Sequence, residues 1–188
     1  MLCHAMKKYL VLFVVTLLSM NELVQAADNS IALAIAIPAL DPDNERSVVA
    51  FDRNSHFPVV LTNTSHKPQR IVTPWNSWGE RALSFQITDR SGKKSVARAV
   101  AVTYEKNMLH WWILQPQESV VFDVYFADTN KWEGFPHPVH YGDSKPVTIR
   151  AIFEFSPDGQ TPPRTGLWAG RVLSKPQPVV FYNRMPEK

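Results

Sequence analysis

Apolar residues recur at every second position through most of the chain beyond residue 30. Ile31, Leu33, Ile35 and Ile37 are separated only by alanines. Phe57, Val59 and Leu61 repeat the rule, as do Leu83, Phe85 and Ile87 with Ser84, Gln86 and Thr88 between or beside them. Val120, Phe122, Val124 and Phe126 form a fourth set, with Asp123 on the other face. Val147, Ile149, Ala151, Phe153 and Phe155 form the longest, opposed by Thr148, Arg150 and Glu154. A period of two puts each set on one face of a pleated strand, whereas a helix needs repeats of three and four.

The breaks between sets carry turn chemistry. Asn63-Thr-Ser-His-Lys-Pro68, Asp89-Arg-Ser-Gly92, Gln115-Pro-Gln-Glu118 and Ser156-Pro-Asp-Gly159 hold Asn, Asp, Gly or Pro where the chain must reverse. Fifteen prolines suit short strands and sheet edges better than helices. The pattern predicts seven to nine strands, near 31–37, 57–63, 69–73, 82–89, 95–103, 110–115, 119–126, 147–155 and 168–181. The last is expected to break near Pro176 and Pro178. Many short strands with turn signals indicate an all-β, antiparallel sandwich or barrel.

The N-terminal segment follows a different rule. Lys7 and Lys8 precede the apolar run Tyr9 to Leu18, and Val24-Gln25-Ala26 offers the small residues of a cleavage site. That is the layout of a secretory signal peptide, and the run is shorter than the ~20 residues a bilayer span needs. The expected division is a signal peptide over 1–26 and a single domain over 27–188, in a secreted or periplasmic product. The one cysteine, Cys3, leaves with the leader, so the mature chain has no disulfide and no thiol chemistry. Losing Lys7, Lys8 and Glu22 lowers the formal net charge from +3 to +2. So balanced a charge argues against a nucleic-acid partner and against a stable membrane anchor after cleavage.

Three segments resemble a known family. Leu61-Thr-Asn-Thr-Ser65 ends a strand in an Asn-Thr turn, and Phe85-Gln-Ile-Thr-Asp-Arg-Ser-Gly-Lys93 runs a strand into a tight turn. Leu114-Gln-Pro-Gln-Glu-Ser-Val-Val-Phe122 places Leu-x-Pro-x-Glu before a strand. Their order over residues 57–126 resembles small bacterial immunoglobulin-like modules, including the BsuPI-type proteinase inhibitor domain. The resemblance implies an immunoglobulin-like β-sandwich and, as one expectation, proteinase inhibition. It transfers no inhibitory residue. The family pattern has Gly where this chain has Gln117, and the aromatic stretches Trp75–Trp78 and Lys131–Tyr141 lie outside it.

No catalytic motif stands out. Gly-x-Ser-x-Gly, His-Glu-x-x-His and Gly-rich phosphate loops are missing from the sequence. Nothing in the pattern selects two working carboxylates from Glu105, Glu118, Asp123, Glu133 and Glu154. His137, His140 and Asp143 have metal-ligand chemistry, but no cysteine or further histidine nearby completes a site. No metal and no cofactor is therefore assigned, and a packed loop over 127–146 is the simpler reading. In His110-Trp-Trp-Ile-Leu114, neighbouring tryptophans on a strand must face opposite sides.

What remains is an aromatic surface. Trp75 and Trp78 flank Asn76-Ser77, while Trp132, Phe135 and Tyr141 sit in the long 127–146 stretch. Tryptophan joins a flat apolar face to an N–H donor, which suits anchoring a protein partner. Buried, the same Trp75–Gly79 stretch would plug the end of the sandwich. The leading expectation is a secreted non-catalytic module that binds a protein partner through Trp75, Trp78, Trp132, Phe135 and Tyr141. Carbohydrate binding is the alternative, with Trp75, Trp78 and Trp132 exposed and roughly coplanar for stacking on sugar rings. An enzyme with its site on the 127–146 loop is a third.

The leader reading generates a direct test. Intact-mass analysis of the exported chain is expected to show a product that begins at Ala27, with cleavage after Ala27 itself the next expectation. An exported product retaining Met1 to Ala26 contradicts it.

Overall fold

The computed structural model describes residues 30–41, 46–51, 55–104, 108–126, 131–135, 137–138, 140–157 and 166–184. The expected leader, Glu105, and Asp158 and Gly159 of one expected turn lie outside the described residues. Among the described residues there is no helix. The strands are β1 (Ile31–Ile35), β2 (Ala39–Asp41), β3 (Arg46–Phe51), β4 (Phe57–Asn63), β5 (Gln69–Val72), β6 (Leu83–Asp89) and β7 (Lys94–Ala99). They continue with β8 (Trp111–Leu114), β9 (Ser119–Val124), β10 (Trp132–Glu133), β11 (Ser144–Phe155), β12 (Gly170–Leu173) and β13 (Gln177–Asn183).

Among the described residues these strands form three sheets. The small sheet has the order β1-β4-β9. The large sheet runs β10-β7-β6-β11-β13-β3-β2, with β12 pairing β11 off that path, and β5 pairs β8 separately. Each alternating set turns its apolar side inward. Ile31, Leu33 and Ile35 are buried while Ala32 and Ala34 are exposed. Phe57, Val59 and Leu61 on β4, Leu83, Phe85 and Ile87 on β6, and Val147, Ile149, Ala151 and Phe153 on β11 join one core. The sheets meet ring to ring across it, Phe57 against Phe85 at 5.8 Å and Phe122 against Phe153 at 5.8 Å. The architecture is all-β and sandwich-like, two packed layers with an apolar interior.

A bend joins the small sheet to the β5–β8 pair. β4 pairs β9, and beyond a turn in each chain β5 pairs β8, so the two-stranded ribbon bends between the pairs. Asn63 sits in the bend, completely buried. Its amide nitrogen donates to the carbonyls of Lys67 and Leu114, both at 2.8 Å. Its side-chain oxygen accepts from the Ser65 amide at 2.9 Å and the Ser65 hydroxyl at 2.7 Å. A primary amide has two donors and two acceptor sites, and all are used. Asn63-Thr64-Ser65 is a glycosylation sequon in sequence, but its nitrogen is buried and doubly donated, so the folded chain has no room for a glycan there. The facing turn contributes Gln117, whose amide donates to the Asn63 carbonyl at 2.8 Å. Gln117 has φ of 68°, the left-handed region that glycine tolerates best.

The structure departs from the strand expectation in several places, among them the strand expected over 95–103, which ends at Ala99. β3 has no alternation because Val49, Ala50 and Phe51 are all buried in sequence. It pairs in parallel with β13, which makes the large sheet mixed, not wholly antiparallel. Parallel neighbours cannot be joined by a hairpin; here the chain from β4 through β12 is the connection. β2 and β10 are too short to show a period, and with β3 they take the number of strands past nine. β11 begins at Ser144, because Pro146 lies where the strand has only β13 beside it and β6 joins from Val147. Of the breaks expected near Pro176 and Pro178, the first separates β12 from β13, whereas Pro178 lies inside β13 opposite Thr148.

The bend yields a paired prediction with opposite signs. Asn63→Ala strands two carbonyls and an amide and is expected to cost about 3 kcal/mol. Gln117→Gly relieves the left-handed backbone and is expected to add about 0.5–1 kcal/mol, net of glycine's extra chain entropy. Urea unfolding of both variants beside the wild type checks the two signs.

Candidate functional site

An open cleft of about 650 Å³ lies between the edge of the small sheet and the β7–β10 end of the large one. That volume is within the ~300–1,000 Å³ typical of ligand sites. β9 forms one wall through Val121 to Val124, and the chain leaving β7 forms the other through Ala99, Val100 and Val102. Trp132 and Leu83 line the cleft between those walls. Trp112 and the Pro74–Trp75 loop also line it.

The loop that carries Trp75 is built by Asn76. Asn76 is 1% exposed. Its side-chain oxygen accepts from the amides of Trp78 at 3.1 Å and Gly79 at 3.0 Å, and its nitrogen donates to the Thr73 hydroxyl at 3.2 Å. Gly79 completes the turn, since a Cβ there would lie 2.0 Å from the Thr73 carbonyl oxygen. This closed turn separates the two tryptophans. Trp78 packs half-buried against the core, while Trp75 stands out at 66% exposure. Trp75 meets Trp112 edge to face at 5.2 Å and 80°, and Trp112 meets Phe122 at 5.9 Å. Trp132 is held from beneath by Phe85 at 5.2 Å and Phe126 at 5.5 Å. Such edge-to-face contacts hold each ring in a defined orientation.

Polar groups at the cleft already have partners. Glu80 accepts from the Val102 amide at 3.2 Å, and the Tyr104 hydroxyl donates to the Pro74 carbonyl at 3.3 Å. Burial, reinforced by the Glu80 charge, pushes the Tyr104 phenol above its ordinary value. Asp123 holds the His56 ring nitrogen at 2.7 Å, and that imidazole stacks on Tyr125 at 4.7 Å. The Lys131 ammonium lies 4.7 Å over the Tyr125 ring and donates to its hydroxyl. With its charges engaged, the cleft offers mainly apolar and aromatic surface.

The sequence-selected residues divide among several places. Trp75 and Trp132 line the cleft. Trp78 lies under its loop and Phe135 is buried in the core beside Phe126 at 5.0 Å. Tyr141 is exposed in the turn before β11 and does not line the cleft. Trp111 and Trp112 face opposite sides, Trp111 under the Arg70 guanidinium at 5.8 Å and Trp112 on the core. Sequence reasoning did not single out Tyr104, Val121, Tyr125 or the His56–Asp123 pair. Those partners are 67 residues apart, and no local pattern connects them.

No group of three His, Cys, Asp or Glu among the described residues is placed to hold a metal. Asp143 accepts from the His140 amide at 2.9 Å as part of a turn. His137 is wedged between Phe135 at 4.0 Å and Phe51 at 5.5 Å, its Nδ1 buried and without a hydrogen-bond partner among the described residues. Burial holds its pKa below the ordinary histidine value. Compared with known proteins, the chain matches no family model and no curated sequence.

The His137 setting predicts a pH effect. A depressed folded-state pKa means that the unfolded chain binds the proton more readily. The contribution is complete above about pH 6.5 and is lost progressively as pH falls through that value toward the depressed one. His137→Phe keeps an aromatic ring between Phe51 and Phe135 and removes the titration. Urea unfolding at pH 7.5 and pH 5 is expected to show the variant gaining on the wild type upon acidification; a constant difference contradicts this.

Proposed function

We propose that this protein is an exported, non-catalytic, immunoglobulin-like binding module that recognises a protein partner through the aromatic cleft. The observation that carries the reading is the cleft itself. It is open, lined by Trp75, Trp112, Phe122 and Trp132, and rimmed by polar groups already engaged. A fixed apolar surface with an exposed tryptophan at its edge is the usual anatomy of a protein-binding hot spot. Trp75 is the natural anchor, because it is exposed while its neighbours Trp112 and Asn76 fix its position. The export signal expected from the sequence and the lack of catalytic motifs agree with an accessory role, and the family resemblance makes a proteinase one candidate partner.

Ring geometry favours a protein over a sugar. Stacking on sugar rings calls for exposed, roughly coplanar tryptophans. Trp75 and Trp112 instead meet at 80°, Trp78 is half-buried, and Trp132 lies against Phe85 and Phe126.

The test is a selection of random linear peptides, displayed against the folded chain, beside affinity electrophoresis in a panel of polysaccharides. Peptides are expected to be enriched by the wild type and weakened roughly tenfold or more by Trp75→Ala, which truncates a hot-spot anchor. Trp75→Ala is expected to leave stability nearly unchanged. Retardation by a polysaccharide that Trp75→Ala abolishes, with no peptide enriched, overturns the reading in favour of carbohydrate.

A further inference from the structure

The hydrogen-bond phase of β4 shows which side of β9 is unused. The Ala36 amide donates to the Pro58 carbonyl, and the Thr64 amide donates to the Ser30 carbonyl. Even-numbered residues of β4 therefore bond to β1. Asn63 donates to the Glu118 carbonyl at 2.9 Å, so its odd-numbered residues bond to β9. The register sets Leu61 opposite Val120, Val59 opposite Phe122 and Phe57 opposite Val124. In an antiparallel pair the bonded positions alternate. Val120, Phe122 and Val124 thus face β4 with their backbone groups. Ser119, Val121 and Asp123 turn their N–H and C=O groups outward, and among the described residues no strand pairs with that edge.

This free edge runs along the cleft. Val121 and Asp123 line the cleft, and Val121 is 59% exposed. Exposed edges are templates for another strand unless they are blunted, and β9 carries no proline or lysine. A strand laid beside β9 would direct alternate side chains into the cleft, toward Trp132, Trp112 and Phe122, and the others to solvent. Glu80, Asp123 and Lys131 already have partners, so the side chains that enter must be apolar.

The same geometry argues against a second copy as the occupant. A copy's β9 has outward residues Ser119, Val121 and Asp123, while its Phe122 and Val124 are committed to its own core. It could pair along the backbone but would leave the 650 Å³ cleft unfilled. We propose that the outer edge of β9 accepts an extended segment of a partner protein as an added strand, apolar at every second residue, whose apolar side chains fill the cleft. This inference rests on the protein-binding reading above and names its mode, β-strand addition.

The probe is the set of about twelve-residue peptides selected above, long enough to cover the β9 edge at ~3.4 Å per residue. Their consensus is expected to alternate apolar and polar positions. Val121→Pro removes one outward N–H and leaves the β4-facing bonds at Val120 and Phe122 in place; it is expected to weaken binding about tenfold, the loss of a single backbone hydrogen bond. Val121→Thr retains the amide and is expected to bind as the wild type does. Hydrogen exchange is expected to show the Val121 and Asp123 amides protected only with peptide bound, and this reading on the wild type decides the matter if Val121→Pro does not fold. Peptides that are lost in Trp75→Ala but kept in Val121→Pro, with those amides unprotected, retain the cleft reading and overturn strand addition. Selection of no peptide overturns both. A dimer in sedimentation, with the same amides protected in the absence of peptide, gives the edge to a second copy and overturns the proposal.

Discussion

The bend at Asn63 is the constraint from which the arrangement follows. A ribbon of two strands can pass from one sheet to its neighbour only if the backbone groups freed at the bend find partners. Asn63 supplies them within its own side chain, closing on Lys67, Leu114 and Ser65 without solvent. A buried amide so placed is specific as well as stabilising, because any other direction of the chain leaves it unsatisfied. The bend leaves β4 and β9 in the small sheet, and it carries β5 and β8 to a separate pairing.

The cleft is a consequence of that bend. β8 delivers Trp112 to the cleft, where Trp75 rests on it. β9, on the near side of the bend, is left with β4 on one edge only. The large sheet reaches its own end at β10 across the gap. A fully closed barrel would have no such seam, since closure removes every edge. The open seam is where apolar interior and unpaired backbone come together, and both belong to the same short strand.

Aromatic packing keeps this open side in shape. Trp75, Trp112, Phe122, Phe153 and Trp168 form a continuous series of ring contacts from the cleft rim through the core, each within 6 Å of the next. A second series runs from Trp132 through Phe126 and Phe135 to Phe51. Rings locked in this way present a fixed surface, so little conformational freedom has to be lost when it is covered. With Cys3 as the one cysteine of the sequence, the described residues are held by this packing and their hydrogen bonds.

Much of the fold was legible in the residues. The alternating sets at Ile31, Phe57, Leu83, Val120 and Val147 face the core as their period demands, because period two is a property of a single extended chain. The turns at Asn63, Asp89 and Gln115 were legible for the same local reason. The partnership of β3 with β13, the short β10 and the pairing of His56 with Asp123 depend on segments distant in sequence, and no local period encodes them. The tryptophans divide along the same line. Residue type identified Trp75, Trp78 and Trp132 as large amphipathic side chains. Only the surrounding packing put Trp75 on the rim, Trp78 under its loop and Trp132 within the cleft, since exposure is a property of neighbours and not of the residue.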